Sequence, residues 1–211
     1  MNKQAGFTLI ELAIVLVIIG LLLGGVLRGQ ELINSAKVKN MAADFRNIPV
    51  YIYAYQDKFR ALPGDDGGAV DHVGVALAEK GNGTGKIDGN WDSTKLGDES
   101  VLFWLHVRKA GLAPGSQVLP ASAGANAFYP TNADGGRLGV SSTSPISTLH
   151  GAYYMCSGAI LGKYAKQLDI TMDEGTAGAG TMQSADIGTA SATLPTSGYE
   201  DDHTYNVCMS F

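Results

Sequence analysis

The run from Phe7 to Leu27, FTLIELAIVLVIIGLLLGGVL, holds twenty-one residues and one charge, Glu11. As a helix rising 1.5 Å per residue it spans about 30 Å, the thickness of a bilayer's hydrocarbon core. A segment of this composition must be covered by lipid or by an apolar bundle of its own copies. A carboxylate inside such a run is costly unless something pairs with it, so Glu11 asks for a partner. An ordinary secretory signal peptide has an apolar core of roughly 7–15 residues ahead of a small-residue cleavage site. This run is longer, and its charge lies inside it. Glu11 falls in the first turns of the helix, where the positive end of the macrodipole favours an anion. A helix-terminal carboxylate at the membrane interface is therefore the plain alternative to an assembly role.

The pattern changes after Leu27. From Arg28 to Phe59 the apolar residues Ile33, Ala36, Met41, Phe45, Ile48, Ile52, Tyr55 and Phe59 fall mostly three or four apart, with charges between them. That is the stripe of a helix with one buried face. Phe7 to about Arg60 therefore reads as one helix, roughly 80 Å long. Pro49 removes a backbone bond and should bend it near Phe45 to Pro49. Leu62, Pro63 and Gly64 supply the stop.

The remainder reads as a small head rich in loops. The chain has 28 glycines and only 17 % charged residues, which argues against a helical bundle. Gly67 to Gly97 shows no sustained period. Within it, Asn82-Gly83-Thr84-Gly85-Lys86-Ile87-Asp88 resembles the middle of a calcium loop, but Lys80 and Trp91 stand where carboxylates are needed. The spacing favours a bare glycine-rich turn, with no metal and no cofactor. The same glycines lack the strand and full motif of a nucleotide loop. A second helix should start at Asp98 or Ser100 and close at Gly111. His106 on it, with no companion ligand at metal spacing, reads as a packing residue. Short strands are expected at Gln117–Leu119, Ala127–Pro130, Arg137–Ser141, His150–Cys156 and Thr204–Phe211, with a short helix over Ile160–Leu168. Thr176 to Gly198, rich in small residues, reads as a mobile or partner-facing loop. The fold class is thus α+β: a long amino-terminal helix, half transmembrane and half amphipathic, against a small antiparallel sheet.

No catalytic constellation emerges. The histidines at 72, 106, 150 and 203 show no metal-protease spacing, and no nucleophile elbow is present. Glu200-Asp201-Asp202 beside His203 reads as a solvated turn. A net charge of −5 argues against nucleic acid as an electrostatic partner. Cys156 and Cys208 permit one intrachain disulfide in an oxidising compartment, with two buried free thiols as the alternative.

Gly6-Phe7-Thr8-Leu9-Ile10-Glu11, after a short leader with one lysine, Lys3, resembles the processing site of type IV prepilins and of type II secretion pseudopilins. The softer match ESVLFWLHVRKAGL resembles a segment of long pilin-like proteins. The resemblance implies that a prepilin peptidase cuts after Gly6 and methylates Phe7, and that Glu11 pairs with the Phe7 amine of a neighbouring subunit. It also implies a disulfide between Cys156 and Cys208 and a structural protein rather than an enzyme. The partners it implies are the peptidase, other pilin subunits and the inner membrane before assembly into a periplasmic or surface filament. It divides the chain into a leader (1–6), an assembly helix (7–27), the amphipathic half of that helix (28–62) and a head (63–211). Gly20, Gly24, Gly25 and Gly29 stand where many pilins carry a proline, which points to a minor pilin or a pseudopilin. A membrane-anchored periplasmic binding module is the reading from another class, and Glu11 distinguishes it, since an anchor needs no charge there.

Overall fold

The computed structural model describes residues 8–120, 127–186 and 198–211. Helix α1 runs unbroken from Leu9 to Phe59, through Pro49. After it come a short helix α2 (Ala69–Val73), a 3-10 turn (Leu77–Glu79) and helix α3 (Glu99–Lys109). Then follow strand β1 (Leu138–Ser141), strand β2 (Tyr154–Leu161), helix α4 (Gly162–Met172), strand β3 (Met182–Asp186) and strand β4 (Thr204–Ser210). The four strands make one antiparallel sheet in the order β1-β2-β4-β3. The fold is α+β, as the sequence reading expects.

By their internal contacts the residues form two units, 1–37 and 38–211. In the first, the described side chains of α1 are open to their surroundings: Leu16 is 69 % exposed and Leu21 73 %. In the second, α1 buries Val38, Met41, Ala42, Phe45, Ile48, Ile52 and Tyr55. The core they join includes Val101, Leu102, Phe103 and Leu105 of α3 and Val140, Met155 and Val207 of the sheet. The spacing of these α1 residues is the helical stripe read from sequence. Its first two members, Ile33 and Ala36, are exposed and lie in the first unit. Their spacing is right, but no core surrounds them.

The strands differ from expectation in three places. Gln117–Leu119 and Ala127–Pro130 are irregular rather than strands, and next to the second stretch Thr131 makes an isolated bridge to Arg137. Strand β2 continues past Cys156 to Leu161 through an irregularity between Ser157 and Ile160, where Ala159 has φ 53°. Helix α4 therefore starts at Gly162. The third difference is β3, a strand inside the stretch read as a loop; residues 187–197 of that stretch lie outside the described residues.

Strand β3 hides from a hydropathy reading because its buried residues include Gln183 and Ser184. Both are satisfied: Thr148 Oγ1 donates to Gln183 Oε1 at 2.6 Å, and the Ser184 and Tyr199 hydroxyls lie 2.9 Å apart. Two further bonds occupy donors of this strand outside its β4 ladder. The Met182 N–H donates to Asp173 Oδ2 at 2.7 Å and the Ser184 N–H to the Ala177 carbonyl at 2.8 Å. Unpaired strand donors are templates for unwanted pairing, and these two are capped.

Candidate functional site: the amino-terminal helix and the clamp that ends it

Glu11 is the only charge between Leu9 and Leu27. Its Oε2 accepts two bonds from Thr8, one from the backbone N–H at 2.8 Å and one from the hydroxyl at 2.7 Å. The Glu11 N–H in turn points at Thr8 Oγ1, 3.4 Å away. This is a capping box at the start of α1: threonine and a glutamate three residues on satisfy each other's backbone donors. Thr8-Leu9-Ile10-Glu11 spells that motif, a local signal beyond the helix dipole. Glu11 Oε1 has no hydrogen-bond partner among the described residues. Gly6 and Phe7, the expected cleavage and methylation positions, lie outside the described residues.

The glycines of α1 carry a second signal. A methyl group added at Gly20, Gly24, Gly25 or Gly29 would meet nothing within 4 Å, so packing inside the chain does not demand them. Gly20 and Gly24 are four apart, as are Gly25 and Gly29. That spacing lets helix backbones approach closely in an apolar medium. The helix meets the length and hydropathy of a membrane span, with none of its most apolar window buried.

The other end of α1 is held by polar groups that composition made look like surface loop. Asp66, 2 % exposed, accepts from the Tyr55 hydroxyl at 2.7 Å and the Gly68 N–H at 2.8 Å, and its Oδ2 lies 2.8 Å from His72 Nδ1. Burial alone would raise the Asp66 carboxyl, but the bonds from His72, Tyr55 and Gly68 outweigh it and hold the pKa below the usual value. The turn between α1 and Asp66 needs Gly64. Its φ is +89°, and a Cβ there would stand 2.5 Å from the Glu99 carbonyl oxygen.

Asp65 and Glu99 organise the calcium-like loop in an unexpected way. Asp65 accepts from the N–H groups of Thr84 (2.9 Å) and Gly85 (2.6 Å), and Glu99 from those of Asn82 (3.0 Å) and Asp88 (2.9 Å). The loop thus turns backbone donors, not oxygen ligands, toward the nearest carboxylates. The Asn82 side chain is itself engaged, with Oδ1 accepting from Thr84 N–H and Nδ2 donating to Asp88. This is the glycine-rich turn that the spacing favours: Gly83 and Gly85 hold φ of +76° and +82°, the left-handed backbone that favours glycine.

His106 is fully buried in the same region. The Gly64 N–H lies 3.0 Å from Nδ1, and Nε2 lies 2.8 Å from the Glu79 carbonyl. An N–H can only donate, so Nδ1 accepts and Nε2 carries the proton. Burial depresses the pKa, against a smaller upward pull from the Glu79 carbonyl. His106 is therefore a neutral cross-brace, which agrees with its reading as a packing residue. His203, read with the acidic turn, lies 3.1 Å from Asp186 Oδ1 instead.

Cys156 and Cys208 are bonded to each other. They face directly across the β2–β4 pair and are buried, so the bond staples the carboxy-terminal strand to the centre of the sheet.

Residues 1–27 match the family model described as the prokaryotic N-terminal methylation motif, the signature of type IV pilins. No curated protein and no solved structure matches the chain.

Proposed function

We propose that this chain is a structural subunit of a type IV pilus-like filament. A prepilin peptidase removes residues 1–6 after Gly6 and methylates Phe7; residues 7–27 then hold the protein in the inner membrane and later form the filament core. Residues 28–62 continue the helix and 63–211 form the head. The observation that carries the reading is the match of residues 1–27 to the methylation motif. Pilin-like proteins with this motif are structural subunits rather than enzymes.

Glu11 supports an assembly role for the helix. One carboxylate oxygen caps the chain's own helix, and the other is left to accept an amine from a neighbour without breaking the cap. A buried charge is costly alone and much less so when paired, so the Glu11–Phe7 pair fixes the axial register of subunits. The open faces at Gly20, Gly24, Gly25 and Gly29 suit close helix–helix packing in that core. The same amino terminus would serve a pseudopilin of a type II secretion system. The absence of a proline from the apolar half favours a minor pilin or pseudopilin over a major pilin.

Glu11→Ala tests the assembly role. The variant should be processed and membrane-resident, since losing a charge makes the segment more compatible with lipid. It should be missing from sheared filaments. Incorporation at the wild-type level would overturn the pairing and favour a simple anchor.

A further inference from the structure

Asn82-Gly83 is the only Asn-Gly pair in the sequence, and it lies in the loop that Asp65 and Glu99 hold. Such a pair carries its own chemistry. The backbone nitrogen after an asparagine can attack the side-chain Cγ, and glycine, having no side chain, shields that nitrogen least. Asn82 and Gly83 are both exposed, so water reaches them.

In the folded head each group that has to move is tied. The Gly83 N–H donates to the Asp65 carbonyl at 2.9 Å. The side-chain amide is held at both ends, Oδ1 by the Thr84 N–H at 3.1 Å and Nδ2 by Asp88 Oδ2 at 3.2 Å. Asparagine commonly bonds the backbone two residues on in this way, but here the flanking backbone is fixed as well. The Asn82 N–H donates to Glu99 Oε1, and the Thr84 and Gly85 N–H groups donate to the Asp65 carboxylate. The Gly81 N–H donates to the Asp66 carbonyl at 3.0 Å, and a Cβ at Gly81 would run into the Asp65 backbone. Asn82 is thus bound to the segment that ends α1 and to the start of α3.

We propose that Asn82 is a self-modifying site gated by this clamp: it is preserved while the loop is docked on Asp65 and Glu99, and it deamidates when the loop opens. In the open loop the Gly83 nitrogen bonds to Cγ and gives its proton to solvent. The Cγ–Nδ2 bond breaks, and Nδ2 takes up a proton and leaves as ammonia. Water then opens the cyclic imide at either carbonyl, leaving aspartate or isoaspartate at position 82. The only co-reactant is water.

The product opposes closing. A new carboxylate at position 82 stands where an amide now donates to Asp88, and like charges so close repel. Isoaspartate also lengthens the backbone between the bonds to Glu99 and to the Asp65 carbonyl, which puts them out of register. The site therefore works in one direction, and the rate of entry follows the fraction of time the loop is open. The filament role proposed above is not needed for any of these steps.

The test is peptide mapping by mass spectrometry of the full chain in nonionic detergent, incubated in mildly alkaline buffer with and without urea. Reaction at Asn82 should be about tenfold or more slower in the folded chain than in urea. Asp88→Ala removes the acceptor of Nδ2 at an exposed position, and Asp65→Ala removes the acceptor of the Thr84 and Gly85 N–H groups. Each should speed the reaction severalfold while tryptophan fluorescence shows a folded head, and Asp88→Ala decides alone if Asp65→Ala does not fold. Asn82→Asp should raise hydrogen exchange over residues 81–88. Equal rates with and without urea, or wild-type rates in the folded variants, would overturn the gate. Exchange unchanged by Asn82→Asp would overturn the one-way step.

Discussion

Replacing His106 by phenylalanine keeps a ring in the core of the head but removes both hydrogen bonds of the cross-brace. The Gly64 N–H and the Glu79 carbonyl are then stranded. Each unsatisfied buried group costs about 1–3 kcal/mol, so the variant should lose roughly 3 kcal/mol. For a unit of this size that corresponds to a fall in Tm of roughly 6–12 °C. Tryptophan fluorescence is the suitable assay, because Trp91 and Trp104 both lie in the head and far-ultraviolet circular dichroism would be dominated by α1. The loss should also depend on pH. His106 has its pKa lowered by folding, so between that value and the ordinary one of about 6.5 the unfolded chain binds more protons than the folded chain. The wild-type head is thus most stable above about pH 6.5 and loses this contribution as the pH falls. His106→Phe cannot lose it, so the gap between the two proteins should narrow in acid. A Tm within about 2 °C of wild type at pH 7.5, or a gap that widens in acid, would refute the neutral cross-brace.

Asp44 should behave in the opposite sense. Burial raises its folded value to about 6, above the ordinary carboxyl range, so its contribution is present at low pH and is lost as the pH rises through about 6. Asp44→Asn should stabilise the head by about 1–2 kcal/mol at pH 7.5, allowing for partial exposure, and by nothing near pH 4. Equal stability of the two proteins at pH 7.5 in a denaturant titration would count against the half-buried, unpaired carboxylate. Cys208→Ser opens a crosslink across a sequence separation of 52 and should cost about 4 kcal/mol in the chain-entropy model. Wild-type protein, denatured without reductant, should take up no thiol label; two labels per chain would rule out the bond.

The helix was legible because hydropathy and a 3.6-residue period are written directly into Phe7–Leu27 and into Met41, Phe45, Ile48, Ile52 and Tyr55. The second helix was legible from Asp98 and Gly111 at its ends. What stayed hidden depends on polar groups meeting across the chain. Asp65, Asp66 and Glu99 read as loop acids, yet each is buried and satisfied by N–H groups, a hydroxyl or a ring nitrogen from other segments. Strand β3 escaped for the same reason, because Gln183 and Ser184 are polar and only their partners Thr148 and Tyr199 make them compatible with the core. At the candidate site the processing motif was plain. The capping box in Thr8-Leu9-Ile10-Glu11 and the four-residue spacing of the helix glycines are local signals too, though neither shows in hydropathy.

If residues 1–6 are a leader, the mature protein begins with a modified Phe7 poised for assembly. Mass spectrometry of the amino-terminal peptide from the native, membrane-derived protein decides it. The expected peptide starts at N-methylated Phe7 and runs into Thr8-Leu9-Ile10-Glu11. A first residue between Leu22 and Arg28, or an intact Met1 in assembled material, would contradict it.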